Sequence, residues 1–467
     1  MKVSTKRRIL EFTLMKVSIK KKVLVCFFIV FAGVCDAQTP TTVFSKIAAY
    51  KLRSDFMMMR DTLQKIHAGL YRYKLKADLD RIFDSCLVSI KDSMTLGDFY
   101  ALTRFAVAAI QDGHSNGRLP DTVMKEYVDS IKFFPAMVLF IRNRSFIFCC
   151  KQNDALSESE LLSIDDHNMD TVIRRLFSYI PSDGKIDSRK NWELPEQFQL
   201  LYGTLYGFHD RFTVRYKTQK GTIQTAVLSA ESIKDIICAQ PFPRPVRYLQ
   251  LSYPKSGIAI LSIKTFSDDL LLTTKENFAV FLDSAFQALK EKNNYKLIID
   301  IRSNQGGNDG NGSRLYSYLT ASPFMYYASK ETVNEKFSSA DHPELRKQQP
   351  QKNFFSGKVF VLQNGRSFSG SAEFASIVKT NHRGIFIGEE CGGAYIGNTS
   401  GYESMVVLPN SGITIRIPRI KYTMAVKPIA PPDRGVIPEF IYYQNISDLG
   451  DHKDVQLAYT LAIAEKE

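Results

Sequence analysis

Ser369 is the hydroxyl whose neighbours best suit it to nucleophilic chemistry. It lies in Asn364-Gly365-Arg366-Ser367-Phe368-Ser369-Gly370-Ser371-Ala372-Glu373, between the apolar run KVFVLQN and the helical pattern AEFASIV. A serine at a strand-to-helix turn is lifted clear of the sheet, and the helix N-terminus beside it favours developing negative charge. Serine is also a common helix cap, and Ser371 is available for that task. An unactivated hydroxyl needs a base, and histidine titrates in the useful range. Of the seven histidines, His114 stands beside a glycine, in Asp112-Gly113-His114-Ser115. His67, His167, His209, His342, His382 and His452 read as surface or packing residues. A third segment, Asp300-Ile301-Arg302-Ser303-Asn304-Gln305-Gly306-Gly307, closes the run KLIID. Its paired glycines let backbone approach a ligand closely, and free N–H groups there suit an oxyanion.

The elements that must position these residues fall into three regions. From Lys46 to about Ala109, apolar residues recur at three- and four-residue spacing, which predicts three or more helices ending at Gly113. Residues 38–132 form this helical N-terminal region. Residues 133–245 carry short β-like runs (AMVLFI, SFIFCC, RFTVRY) with a helical stretch around Met169–Ile180. From 246 to 467, the runs GIAILSI, KLIIDI, KVFVLQN and GIFIGEE alternate with helices, which is α/β wiring whose strand ends are natural places for chemistry. A capping box of Thr273 and Glu276 is expected to open the helix between the first two strands.

The chain's 467 residues, 44% apolar and 23% charged, suffice for several cores and exclude wholesale disorder. Its net charge of +13 is lopsided: residues 1–37 hold eight Lys/Arg against Glu11 and Asp36, a net of +6, leaving +7 for the remainder. No basic block interleaved with aromatics follows, so nucleic acid is not an expected partner. The basic stretch ending at Lys22, the apolar run Val23–Val34 and Cys35-Asp36-Ala37 read as a signal peptide, 1–37, cleaved near Ala37. Its apolar run is shorter than the roughly 20 residues of a spanning helix, and Val34 suits lipidation of Cys35 poorly. The mature protein is expected to be exported, periplasmic or secreted, without a stable membrane span. Cys86, Cys149, Cys150, Cys238 and Cys391 remain, without C-x-x-C spacing, and read as buried free thiols. There is no H-E-x-x-H, no G-x-G-x-x-G after a strand and no P-loop, so neither metal nor cofactor is expected.

Taken together, LIIDIRSNQGG, GRSFSGSAEFA and QDGHS resemble the C-terminal-processing (tail-specific) serine protease family, in its tricorn-like branch that uses histidine as the base. LQKIHAGLYRY and DRGVIPE are weaker echoes, and LLSIDDHNMDTVIRRL resembles a segment of PDZ-like modules. The resemblance implies an α+β / α/β multidomain fold: a helical N-terminal region, a degenerate PDZ-like β-rich middle and a crotonase-like α/β protease core. It implies a serine endopeptidase acting on peptides or unfolded proteins, with Ser369 as nucleophile, His114 as general base, and the N–H groups of Gly370 and of Gly306 or Gly307 as oxyanion hole. Where the lysine-using branch carries its base, this chain has Ala394. For the carboxylate that orients the imidazole, Asp433 and then Glu389 are the candidates. The rival readings are a catalytically silent relative that binds peptides and a carrier of lipophilic ligands on the same core.

Overall fold

The computed structural model describes residues 42–236, 245–293 and 295–467. The expected signal peptide and Cys238 lie outside the described residues.

Apolar spacing becomes helix in the N-terminal region as the sequence suggests. Ala49–Ile66 buries Leu52, Phe56, Met59 and Leu63, and Lys76–Ser89 buries Leu79, Phe83 and Cys86. Leu96–Ala108 starts at Thr95, whose hydroxyl accepts the Asp98 N–H at 3.1 Å. These helices do not close their core alone. A hairpin of Ser404–Val407 and Thr414–Ile417 pairs with Asn116–Arg118 and adds Leu408, Ile413, Ile415 and Ile417. The last strand of the hairpin thereby ties the segment after His114 to the C-terminal part of the chain.

The middle is β-rich: an antiparallel sheet in the order Ile223–Ser229, Arg211–Lys217, Ser159–Ile164, Arg144–Cys149, Met137–Ile141. Helix Met169–Phe177 packs Val172, Ile173 and Leu176 into the same core. The expectation of free thiols fails at Cys149, which is disulfide-bonded, while Cys86, Cys150 and Cys391 are free and buried.

The C-terminal core is a layered α/β unit. Its sheet runs Leu249–Lys255, Ile258–Ile263, Lys296–Asp300, Lys358–Gln363, Ile385–Gly388, Phe440–Ile441, with every pair after the first parallel. Parallel strands covered on both faces read as continuous apolar runs, which is why KLIID and KVFVLQ lack alternation. Helix Phe278–Glu291 covers one face through Leu282, Ala285, Phe286 and Leu289, and Val455–Lys466 covers the other through Ile463 and Ala464. The expected capping box is replaced. Thr273 ends a separate short helix, Asp268–Thr273; Asn277 caps the next one; Glu276 instead accepts the Tyr248 and Leu249 N–H groups. Lys296–Asp300, Lys358–Gln363 and Ile385–Gly388 all point their C-terminal ends at one edge, where the loops gather.

Candidate active site

At that edge, Ser369 adopts φ 54° and ψ −126° on entry to helix Gly370–Thr380. This is the strained turn that exposes a side chain at the top of a sheet, at a cost of roughly 1–3 kcal/mol. Although Ser369 occupies the cap position, its hydroxyl caps nothing. Ser371 does not cap the helix either; its Oγ donates to the Asn304 carbonyl at 2.6 Å. Surrounding bonds impose the turn. Ser367 Oγ donates to the Ile301 carbonyl at 2.8 Å, the Phe368 N–H to the Asn304 carbonyl at 3.0 Å, and the Ser303 N–H to Asn364 Oδ1 at 2.9 Å.

The glycine loop is pinned by the same asparagine. Asn304 Nδ2 donates to the Ile263 carbonyl at 3.1 Å, and its Oδ1 accepts the Gly306 N–H at 2.8 Å. The Gly306 N–H is therefore engaged, whereas Gly307 lines the cavity in front of Ser369. A Cβ on Gly370 would lie 3.7 Å from the Gly307 nitrogen, so the two backbones face each other closely. As first residue of its helix, Gly370 has an N–H without an intrahelical acceptor. Glycine is required at 306 because φ is +91° and a Cβ would meet the Gly370 nitrogen at 2.7 Å. Below the loop, burial alone would raise Asp300, but Arg302 and Lys264 hold its carboxyl well below the usual range.

Across the cavity, His114 Nε2 lies 3.1 Å from Ser369 Oγ. Burial pushes His114 down to about 4, Asp112 opposes this, and Arg416 and Arg189 reinforce it. The ring is therefore neutral at neutral pH. If Nε2 accepts from the serine, Nδ1 carries the proton; Nδ1 is buried with no hydrogen-bond partner among the described residues, and the carboxylate facing it is Asp112, 3.9 Å away.

Asp112 has other work. His67 Nε2 lies 2.7 Å from its Oδ2, Ser115 Oγ donates to the same oxygen at 2.8 Å, and the His114 N–H donates to Oδ1 at 3.1 Å. Because the Gly69 N–H donates to His67 Nδ1, His67 is the Nε2–H tautomer and donates to Asp112. Burial would raise the Asp112 carboxyl, yet the His67 hydrogen bond and nearby imidazoles hold it below its usual range. Asp183, pushed up by burial and by the charge of Asp112, accepts the Gly113 N–H at 2.8 Å and the Ala394 N–H at 3.3 Å.

The structure thus brings Ser369, His114, Gly370 and Gly307 together and leaves both expected orienting carboxylates elsewhere. Asp433 pairs with Lys185 Nζ at 3.0 Å, and its carbonyl accepts the Lys185 N–H. Glu389 accepts Trp192 Nε1 at 2.7 Å and the Gly365 N–H at 3.3 Å, and lines a separate cavity of about 340 Å³. The reason is topological: Ile385–Gly388 ends one strand beyond the nucleophile strand, so Glu389 emerges beside Gly365 and away from the ring. Sequence reasoning missed His67, Asp183 and Asn304. The signal for His67 was present in LQKIHAGLYRY, a segment with glycine two residues on; His67 is buried, and beyond packing it hydrogen-bonds Asp112.

A parallel sheet whose strand ends hold a strained serine against a buried neutral histidine defines the class of a serine-type peptidase. Residues 257–427 match the family model of peptidase family S41. Among curated proteins no match is found. Among solved structures, mature CPAF has a TM-score of 0.62 at 14% identity, covering 89% of this chain and 96% of that one. Mature CPAF complexed with lactacystin has a TM-score of 0.60 at 14% identity, covering 89% and 98%. At such identities the likeness shows the shared fold.

Proposed function

We propose that the protein is an exported serine endopeptidase that cleaves peptides or unfolded proteins through an acyl-enzyme on Ser369. Ser369 Oγ attacks the scissile carbonyl carbon while its proton passes to His114 Nε2. The oxyanion then accepts hydrogen bonds from the Gly370 and Gly307 N–H groups, each donor worth about 10²–10³ in rate where such groups have been removed. His114 Nε2–H protonates the leaving amine as the C–N bond breaks. Water, deprotonated by the same ring, releases the acyl group. Asp112, though 3.9 Å from Nδ1, supplies negative charge that favours the transient imidazolium.

The cavity before Ser369, about 490 Å³, is bordered by Asn116 and Ser400. Each belongs to an outermost strand of its sheet, Asn116–Arg118 and Thr399–Ser400, which suits an extended peptide adding main-chain hydrogen bonds. Export is supported by the leader-like residues 1–37 and by the disulfide at Cys149, a bond that persists in oxidising compartments.

The observation carrying this reading is the 3.1 Å approach of Ser369 Oγ to His114 Nε2 between residues 255 apart in sequence. A fluorophosphonate should modify Ser369 and be lost in Ser369→Ala, together with hydrolysis of an unfolded protein. A folded wild-type protein that neither labels nor hydrolyses would sink the proposal.

A further inference from the structure

In a serine–histidine pair the imidazole must be held in plane, and a hydrogen bond at Nδ1 usually does so. Here Nδ1 is buried and has no hydrogen-bond partner among the described residues, yet the ring is not loose. The Phe368 ring, from the residue before the nucleophile, stacks on His114 with centroids 4.6 Å apart and an interplanar angle of 28°. Phe368 also stands against Arg189, whose guanidinium carbon lies 4.0 Å from the ring centroid. Arg189 is in turn fixed by Glu193, one turn along helix Asp187–Glu193, at 2.9 Å.

The surroundings of Phe368 are shaped to receive a ring. A Cβ on Gly113 would fall 2.8 Å from Phe368 Cζ, and one on Gly393 would fall 3.5 Å from Cδ2. Glycine at 113 is thus required by the ring. Phe368 is 5% exposed, so it has no freedom to swing away from the imidazole. Cation–π and ring–ring contacts are each modest, but both act on a ring already confined by packing.

From this we infer that Phe368, braced by Arg189, is a positioning residue that holds the His114 imidazole in its productive plane, a task that no Nδ1 hydrogen bond performs in this site. The inference rests on the proposed Ser369–His114 chemistry. It adds that the β-rich middle region, through Arg189, contributes to the alignment of a base carried by the N-terminal region. A misplaced reacting group costs on the order of 10²-fold in rate. Phe368 and Arg189 also border the cavity before Ser369, so KM is read beside kcat, and misalignment of the base is the part of the loss that falls on kcat.

The test compares Phe368→Leu, which keeps apolar bulk without a ring, with Phe368→Tyr, which keeps the ring. Each is followed by peptide hydrolysis and by the ring Cε1–H resonance of His114 in ¹³C-histidine-labelled protein, assigned by its absence in His114→Asn. Phe368→Leu is expected to lower kcat by on the order of 10- to 100-fold and move the resonance as the ring current disappears, while Phe368→Tyr stays within about threefold of wild type. Unchanged kcat and resonance in Phe368→Leu would overturn the inference. So would an equal loss in Phe368→Tyr with the melting temperature preserved, since the ring would then not be what matters. If wild-type protein fails to react at Ser369, the peptidase proposal falls alone, and exchange broadening of the His114 resonance in Phe368→Leu but not in Phe368→Tyr, which reports a loosened ring beyond the lost ring current, still decides whether Phe368 holds the imidazole.

Discussion

Around Ser369 the chain is fixed by hydrogen bonds: Asn304, Ser367, Ser371 and Asn364 each tie the nucleophile turn to the neighbouring strand end. Around His114 the backbone is bonded through Asp112 and Asp183, but among the described residues the ring itself meets only Ser369 as a hydrogen-bond partner and otherwise rests on Phe368. The difference follows from where each segment lies. A parallel sheet offers aligned carbonyls that can impose a strained φ on the serine, whereas the histidine enters from a loop after a helix and is set by packing. The proposed nucleophile is thus fixed within one region, and the proposed base depends on how three regions meet.

The most severe break of that meeting is His114→Ala. In the proposed mechanism the base and the proton donor to the leaving amine vanish together, so kcat/KM should fall by about 10⁶, with the circular dichroism spectrum retained. Steady-state assays on a fluorogenic peptide measure it; full activity in the folded variant would remove His114 from the mechanism. The same pair predicts the acid limb. The neutral ring is the active form, and burial lowers its pKa to about 4, so kcat/KM should decline only as pH approaches that value rather than near 6.5. Asp112, Asp183, Glu403, Arg189 and Arg416 are the charged groups around it. The shift also lowers stability in acid. The unfolded chain takes up the proton near 6.5 and the folded chain only near 4, so His114 makes folding progressively less favourable as pH falls between them.

Next in size is Asn304→Ala, which attacks the hydrogen-bonded side. It frees the Gly306 N–H and removes the tie to Ile263, so the loop carrying Gly307 should lose its alignment with Gly370. The expected loss is about 10²-fold in kcat, with KM changed little, because the oxyanion forms only in the transition state. A loss confined to KM would place Asn304 in substrate binding.

Which parts of this were legible beforehand follows from the same contrast. Ser369, the glycine loop and the sheet under them are local: a buried strand, then a turn residue, then a helix, all within one stretch of sequence. His114 was legible through its glycine neighbour. The hairpin Ser404–Val407 and Thr414–Ile417, which completes the helical core, was not, because its partner strand lies almost 300 residues away and no periodicity encodes pairing at that distance. His67 and Asp183 escaped for a similar reason: each finds its partner, Asp112 or the Gly113 N–H, only after the regions dock. Asp433 and Glu389 were chosen by nearness to a motif in sequence, and in space they engage Lys185 and Trp192.

The smallest effects are expected where the sequence had placed that carboxylate. Asp433 is engaged by Lys185, an ion pair with a largely exposed lysine that contributes at most about 1 kcal/mol. Asp433→Asn should therefore leave kcat within about threefold of wild type, a change too small for the loss of an imidazole-orienting charge, which costs about 10⁴ in a serine protease triad. Glu389 is buried and its carboxyl is raised by that burial, despite the Trp192 hydrogen bond that opposes the rise. Glu389→Gln keeps an oxygen to accept from Trp192 and the Gly365 N–H, so kcat should again stay near wild type, with at most a modest change in melting temperature. Measured side by side with Asp112→Asn, the pair separates two arrangements. If Asp112→Asn alone lowers kcat, the charge that matters is the one 3.9 Å from Nδ1. A fall of a hundredfold or more in Asp433→Asn would instead mean that the loop carrying it swings onto the ring when substrate binds.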